Sequence, residues 1–283
     1  MWQSLPLQCQ LLLQDCVDVG ITLGNSLTAL DIGCGTGLAS ELLLSSMLGN
    51  RISQIDLLDT SEEMLERAKH RAKKWRVNSR LLHGVIEDFL GDRKYDIIIC
   101  CSVLHHIPDL GRFLSDLQTM QVDGGVFLHL QDPNGDFLGD PTLKHRMCEL
   151  SDRFVRLPNW LRRFNPTRIA KSLSWKLGSR QAQDYMRRVS DELIIAGVTA
   201  KPMSPQDIWT VTDIHCLDGL GIRTSQLRGY LLDYELISSR SYGFFGRLFS
   251  DLPKGFKRQE LSLIHTRAPN GLYIAGAWKI ARG

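Results

Sequence analysis

The residues with the clearest capacity for chemistry lie in a glycine-rich stretch near the start of the chain. Residues 31–37 are Asp-Ile-Gly-Cys-Gly-Thr-Gly, between a short apolar run and a leucine-rich segment that suits a helix. Because glycine has no Cβ, a ligand can approach the backbone of such a loop closely. The following helix presents free backbone N–H groups in its first turn. The stretch therefore predicts a site where a ligand contacts the backbone, the alternative being a tight turn without a ligand.

The spacing excludes two well-known glycine loops. A dinucleotide fingerprint, Gly-x-Gly-x-x-Gly counted from Gly33, fails because its sixth position is Leu38. A phosphate-binding loop of the Walker type also fails, because no Gly-Lys-Ser or Gly-Lys-Thr follows. The glycines thus indicate a different class of ligand.

A carboxylate at the end of the second predicted strand supplies a complementary group. Asp59 follows the apolar run 52–58 and precedes Ser61, a residue suited to cap the next helix. An acid at a strand end can accept hydrogen bonds from both hydroxyls of a ribose, as in dinucleotide folds. Asp59 is therefore predicted to bind a ribose; the alternative is a role in helix entry alone.

A histidine pair gives the chain a candidate base. His105 and His106 follow the fourth predicted strand, and Asp132 follows the fifth. Histidine can accept a proton near neutral pH, and a carboxylate can orient its imidazole. Ligands in such sheets bind beyond the carboxyl ends of the strands, so the pair is predicted to lie near the glycine loop. The alternative is that both histidines only shape the loop before Pro108.

The elements that must position these residues alternate between strands and helices. The predicted strands of the first half are 27–32, 52–58, 80–83, 95–101 and 126–130. Such alternation implies a parallel sheet with helices on both faces. The pattern changes after residue 135: residues 141–200 are predicted to be mostly helical, and strand character returns at 234–242 and 272–280.

At the glycine loop the sequence resembles the class I, Rossmann-like S-adenosylmethionine-dependent methyltransferases, and its histidine segment 102–109 resembles that of natural-product and sugar O-methyltransferases. Their first motif is an acid followed by Gly-x-Gly-x-Gly, which residues 31–37 match without a gap. Asp59 and the Ser-x-x-Met-Leu that follows at 61–65 match a second family pattern. The resemblance covers about residues 27–132 strongly and the last strands weakly.

The resemblance implies an α/β fold built on a doubly wound, mostly parallel seven-stranded sheet. Its last strand is expected to be antiparallel, and a helical cap is expected after the fifth strand. The predicted segments are an N-terminal helical segment 1–26, a cofactor-binding core 27–135, a helical cap or substrate region 136–230, and C-terminal strands 231–283.

The same resemblance implies S-adenosylmethionine as the cofactor. Met64 is expected near the adenine. Val85 stands where family members often carry an aspartate that accepts the adenine amino group, so backbone groups, Glu87 or Asp88 are expected to replace it. The cofactor-binding residues expected from the motifs and strand ends are Asp31, Gly33, Cys34, Gly35, Gly37, Asp59, Thr60, Met64, Val85, Ile86 and Cys101.

The implied activity is methyl transfer from S-adenosylmethionine to a small-molecule acceptor, as in natural product biosynthesis. O-methylation is expected, with His105, His106 and Asp132 as the catalytic residues, because similar O-methyltransferases use a His-His pair as the base. The alternatives are N-methylation, a non-methyl reaction such as a cyclisation, and a non-catalytic subunit that binds the cofactor. No motif identifies the acceptor.

Three residues in the second half are candidates for contact with the acceptor. Asp213 and His215 form a polar cluster in the region expected to cover the site, and Tyr242 lies in a predicted strand. Surface polarity for the first two and core packing for the tyrosine are the alternatives. A metal site is not expected, because no third and fourth ligand accompany Asp213 and His215.

A basic segment distinguishes the predicted cap. Residues 141–190 hold twelve basic and three acidic residues, a net charge of +9 against +3 for the whole chain. The segment is interpreted as a solvated cap, as a surface for an anionic or carrier-protein-bound acceptor, or as a peripheral contact with an anionic membrane. Nucleic acid is not expected as a partner, because no base-reading motif accompanies the charges. A homo-oligomer remains open.

Composition places the chain among globular cytoplasmic proteins. Its 283 residues contain no apolar run near the ~20 residues that span a bilayer, and no positive charge precedes Leu11, so a secretory signal is not expected. The seven cysteines are irregularly spaced, and Cys100 and Cys101 are adjacent within an apolar run. This pattern suits neither a disulfide framework nor a zinc site, so the cysteines are interpreted as reduced thiols.

Overall fold

A computed structural model describes residues 5–19, 24, 26–155, 191, 194, 201–202, 221–246 and 249–281. Its strands are β1 (Leu27–Ile32), β2 (Ile52–Asp59), β3 (Asn78–His83), β4 (Tyr95–Cys101), β5 (Gln121–Pro133), β6 (Tyr234–Tyr242) and β7 (Tyr273–Ile280). Its α-helices are α1 (Leu5–Asp18), α2 (Leu38–Leu44), α3 (Glu62–Ala72), α4 (Leu110–Thr119), α5 (Leu143–Val155), α6 (Thr224–Tyr230) and α7 (Lys254–His265).

The seven strands form one sheet in the order β3-β2-β1-β4-β5-β7-β6. The first five strands are parallel, and β7 runs antiparallel to both β5 and β6. The predicted fold class is therefore confirmed, including the antiparallel last strand. The strand predicted at 126–130 is much longer than expected, because β5 extends from Gln121 to Pro133.

Helices cover both faces of the sheet, which explains the continuous apolar runs. In β4, Ile97 and Ile99 belong to the core on the face that carries α1, α2, α3 and α7. Ile98 and Cys100 belong to the core on the opposite face, which carries α4 and α6. Since successive side chains of a strand point to opposite faces, a strand covered on both sides must be apolar throughout.

Two polar caps fix the starts of the helices that leave the carboxyl edge of the sheet. Ser61 Oγ accepts a hydrogen bond from the Met64 amide at 3.4 Å at the start of α3, as the sequence predicted. Asp109 Oδ1 accepts one from the Arg112 amide at 2.9 Å at the start of α4. Each cap satisfies an amide that the helix itself leaves unpaired, so both helices begin at defined residues.

A buried ion pair fastens α1 to the far end of the chain. Asp15 accepts hydrogen bonds from Arg240 of β6 at 2.6 and 2.7 Å, from Ser238 at 2.5 Å and from the more exposed Arg267 at 2.8 Å. Burial alone would raise the pKa of Asp15, but these donors and the two positive charges outweigh it and lower that pKa. Helix α1 is thus anchored to β6, and its apolar side chains pack into the core on that face of the sheet.

The predicted boundaries at 26, 135 and 230 stay predictions. Helix α5 lies within the segment 136–230 that was predicted as a helical cap, and most of that segment lies outside the described residues. Within the ranges given above, no helix is long and apolar enough to cross a membrane.

Replacing Arg240 with Ala is expected to lower the free energy of unfolding by about 3 kcal/mol, because it leaves the buried Asp15 carboxylate undercompensated. Urea denaturation followed by circular dichroism measures this change. Arg228→Ala, on the exposed side of α6, is the matched control and should change stability by less than about 0.5 kcal/mol. Equal stabilities for the two variants would contradict the anchoring role.

Candidate active site

The loops at the carboxyl ends of β1, β2, β3 and β4 surround one cavity of about 1190 Å³. Parallel strands bring these ends to the same edge of the sheet, which is where ligands bind in open α/β folds. The sequence predicted this position from the glycine loop and Asp59, and both line the cavity.

The glycine loop adopts a backbone that side chains would obstruct. Gly33 and Gly35 have φ values of 64° and 52°, in the left-handed region. A Cβ on Gly33 would collide with the side chain of Val103, whereas a Cβ on Gly35 would meet open space. Gly33 therefore lets the loop pack against the segment after β4, and Gly35 leaves its backbone accessible from the cavity.

Asp59 joins two parts of the cavity wall. Its Oδ2 accepts a hydrogen bond from the Gly35 amide at 2.7 Å, and its Oδ1 accepts one from the Ser61 amide at 2.9 Å. The residue is only partly buried, so its carboxylate also faces the cavity. A carboxylate held in this way can accept further hydrogen bonds from the two hydroxyls of a ribose.

Nine of the eleven expected cofactor residues line this cavity: Gly33, Cys34, Gly35, Asp59, Thr60, Met64, Val85, Ile86 and Cys101. Burial raises the pKa of the Cys34 and Cys101 thiols, which keeps them protonated. Glu87 also lines the cavity, whereas Asp88 accepts a hydrogen bond from the Val85 amide at 3.0 Å. Of the two acids considered in place of the family's aspartate, Glu87 is therefore the one at the cavity wall.

The other two, Asp31 and Gly37, lie behind the wall. Asp31 is fully buried, and its Oδ2 accepts hydrogen bonds from the Ser40 amide at 3.1 Å and the Ser40 hydroxyl at 2.5 Å. Burial raises the pKa of Asp31 to about 7. Gly37 begins α2 with φ 76° and faces Trp75 rather than the cavity. Asp31 thus binds the first turn of α2 through Ser40, and Gly37 supplies the left-handed backbone from which α2 begins.

Several wall residues were not among those expected from the sequence. Ile107, Asp109, Arg112 and Phe113 come from the segment after the histidine pair and from α4. Their place could have been inferred from the expectation that this segment lies near the cofactor. Leu5 comes from α1 and carries no signal in the sequence, because only the packing of α1 brings it to the cavity.

The histidine pair lies at the same edge of the sheet, with different surroundings for each ring. His106 lines the cavity. His105 is 5 % exposed, and its Nδ1 lies 2.9 Å from Oδ1 of Asp132. The two imidazole rings are 4.0 Å apart between centroids. The structure thus brings the three residues that the sequence proposed as catalytic close to one another, but of these three only His106 is among the residues that line the cavity.

The contact with Asp132 determines which nitrogen of His105 carries a proton. Burial alone would raise the pKa of Asp132, but hydrogen bonding and charge from His105 and His129 outweigh it and lower that pKa. An ionised carboxylate can only accept a hydrogen bond, so Nδ1 of His105 is the donor. In the neutral imidazole, Nε2 is then the atom that can take up a proton.

The acceptor candidates of the second half have different outcomes. Asp213 and His215 lie outside the described residues. Tyr242 is fully buried in the core beneath α1 and α7, and it is not among the residues that line the cavity. Its position agrees with the core-packing alternative. Over the described part of the chain, no group of three or more potential metal ligands occurs.

Residues 30–127 match the family model of a methyltransferase domain. The chain carries a class I S-adenosylmethionine-dependent methyltransferase domain. The cofactor of this domain is S-adenosylmethionine. The carboxylate of Asp59 at the cavity wall fits its ribose hydroxyls, and the open space at Gly35 lets the cofactor approach the loop backbone.

Two relatives illustrate the similarity. The domain is 32 % identical over 93 residues to the ubiquinone biosynthesis O-methyltransferase of Rickettsia felis, a match that covers 33 % of this chain and 36 % of the relative. A highly reducing polyketide synthase of Alternaria alternata is 30 % identical over 199 residues, which are 63 % of this chain and 6 % of the synthase. The chain therefore spans only a minor part of either relative's length.

Two solved structures share this fold. The plantazolicin methyltransferase BpumL, in complex with a triazolic desmethylPZN analog and SAH, has a TM-score of 0.50 and 13 % identity over 99 % of this chain and 84 % of its own. A putative sarcosine dimethylglycine methyltransferase from Galdieria sulphuraria has the same TM-score and identity over 96 % of this chain and 84 % of its own. At this identity the likeness concerns the fold alone.

Asp59→Ala is expected to weaken the binding of S-adenosylhomocysteine by about 2–4 kcal/mol, because charge-assisted hydrogen bonds to the ribose are lost. Isothermal titration calorimetry measures this affinity. Glu62→Ala removes a nearby exposed acid that does not line the cavity and should leave the affinity unchanged. An unaltered affinity in Asp59→Ala would remove this residue from the cofactor site.

Proposed function

We propose that this protein methylates a hydroxyl group of a small-molecule acceptor, with His105 as the general base. When bound, S-adenosylmethionine supplies a methyl group that its sulfonium has already activated for displacement. The chain's own residues must then align the acceptor, exclude water and remove the hydroxyl proton. The His105–Asp132 contact of 2.9 Å is the observation that supports this function most directly.

Proton removal follows from the orientation of the imidazole. Asp132 accepts the hydrogen on Nδ1, so a proton that the neutral His105 takes up goes to Nε2. The same carboxylate stabilises the imidazolium that forms when His105 takes up that proton. His106 lines the cavity, and its ring centroid lies 4.0 Å from that of His105 with the two planes tilted by 42°, which supports a position of the pair beside the cofactor site.

The similarity to an O-methyltransferase of ubiquinone biosynthesis supports oxygen rather than nitrogen as the acceptor atom. An amine that is neutral at the working pH would need no base, and a buried His-Asp pair would then have no function in the transfer. Natural product biosynthesis is proposed as the setting because a polyketide synthase is also among the relatives.

We also propose that the acceptor is anionic or held on a carrier protein, supported by the net charge of +9 over residues 141–190. Most of that segment lies outside the described residues, so the sequence alone supports this part. A cytoplasmic location is proposed because all six described cysteines are free thiols.

Release of S-adenosylhomocysteine in the presence of hydroxyl compounds tests the reaction. Paired hydroxyl and amine analogues of the same carbon skeleton should give turnover mainly with the hydroxyl member. Preferential turnover of the amines would favour N-methylation, and product formation without S-adenosylhomocysteine would favour a cyclisation. Inertness with every acceptor, together with a stable protein complex, would favour a non-catalytic subunit.

His105→Gln is expected to lower kcat by about 10²- to 10⁴-fold, the range typical of a lost general base, while S-adenosylhomocysteine affinity stays unchanged. Steady-state kinetics with the hydroxyl acceptor and calorimetry measure the two effects. His106→Gln is the comparison, since His106 lines the cavity whereas the 2.9 Å contact to Asp132 Oδ1 is made by His105. Full activity of His105→Gln would remove this base from the mechanism.

A further inference from the structure

The end of β5 contains a bulge that the sequence pattern does not indicate. His129 pairs with Gly276 of β7, and Asp132 pairs with Ile274. Three steps along β5 therefore correspond to two along β7, so β5 has one extra residue here. Gln131 within this stretch has φ 63°, a left-handed backbone that is uncommon for a residue with a side chain.

The extra residue changes which side chains share a face of the sheet. Without it, His129 and Asp132 would point to opposite faces, because side chains alternate along a strand. With it, Nδ1 of His129 lies 3.6 Å from Oδ2 of Asp132. Oδ1 of the same carboxylate lies 2.9 Å from His105. The carboxylate thus lies between two imidazoles.

The neighbouring strand leaves room for the second imidazole. Gly276 is directly opposite His129, and a Cβ at Gly276 would collide with Nε2 of that ring. His129 and Asp132 are 1 % and 0 % exposed, so solvent does not satisfy either side chain. Within the described structure, neither Nδ1 of His129 nor Oδ2 of Asp132 has a hydrogen-bond partner, and the two atoms lie 3.6 Å apart.

We propose that His129 is a positioning residue for the transfer reaction, holding the Asp132 carboxylate so that Asp132 in turn orients His105. This inference rests on the proposed function, because it requires His105 to be the base. The torsion that rotates a carboxylate is broad, so one hydrogen bond to His105 leaves its plane poorly fixed. A second donor on the other oxygen restricts that rotation. At 3.6 Å the contact is longer than a hydrogen bond, so the proposal requires the two atoms to approach by a few tenths of an ångström.

Substitutions at position 129 separate positioning from packing. His129→Leu removes the donor, and kcat with the hydroxyl acceptor should fall by about 10- to 100-fold, by analogy with the loss of outer-shell partners of metal-binding histidines. His129→Asn keeps an N–H donor near the position of Nδ1 and should restore most of kcat. Calorimetric affinity for S-adenosylhomocysteine should be the same in both variants. Phe127→Leu, a buried change on the same strand, controls for lost packing.

Proton NMR gives a readout that does not depend on turnover. The Nδ1 proton of His105, hydrogen-bonded to Asp132, should give a downfield resonance that disappears in Asp132→Asn. That resonance should shift or broaden in His129→Leu and remain near its original position in His129→Asn and Phe127→Leu. Gly276→Ala, which displaces the His129 ring without removing its donor, should resemble His129→Leu in both the resonance and kcat.

The outcomes distinguish the two proposals. An unshifted His105 resonance in a folded His129→Leu protein would overturn the positioning role, whatever the activity of the His105 variants. Equal losses of kcat in His129→Leu, His129→Asn and Phe127→Leu would also overturn it, because packing alone would then explain the loss. If the His105 resonance shifts in His129→Leu but the His105→Gln variant is fully active, the contact from His129 through Asp132 to His105 stands and the proposed base is refuted instead.

Discussion

The two hydrogen bonds that the Asp59 carboxylate accepts are the constraint on which the cofactor site depends. They link the glycine loop after β1 to the start of α3 after β2, at 2.7 Å and 2.9 Å. The strands are adjacent and parallel, so the two loops meet at one edge of the sheet. Gly33 allows the segment after β4 to pack against this joined pair. The cavity forms because these three loops are held in contact while Gly35 faces open space.

A second constraint concerns β5, the strand next to β4. The side chains of His129 and Asp132 near the carboxyl end of β5 must share one face of the sheet. Burial on both faces requires the central run 126–128 of β5 to be apolar, and His129, Gln131 and Asp132 follow this run toward the carboxyl end of the strand. The bulge at Gln131 turns His129 and Asp132 to the same side, toward His105. The side chain of Gln131 itself accepts a hydrogen bond from Gln8 of α1 at 2.8 Å. One irregular residue thus connects the edge of the sheet that carries His105 and Asp132 to the N-terminal helix.

Local patterns predicted the elements well where a single physical rule governs them. β1 and β4 have the predicted boundaries because a doubly covered strand must be apolar throughout, and Ser61 caps α3 because its side chain satisfies a free amide. The motif, however, did not separate residues that touch the cavity from residues that support it. Asp31 and Gly37 belong to the same glycine motif as Gly35, yet both serve α2 from behind the wall.

The sequence by itself determined the sheet, the cofactor class and the presence of a candidate base near the glycine loop. These follow from spacing along the chain, since apolar runs, caps and glycine positions act within a few residues. Only the tertiary structure decided which groups meet. His105 contacts Asp132 27 residues away, and Leu5 reaches the cavity because Asp15 is bound by Arg240 225 residues away. The alignment of His129 with Asp132 depends on a bulge, which is defined by pairing between two strands and so has no signature in either one alone.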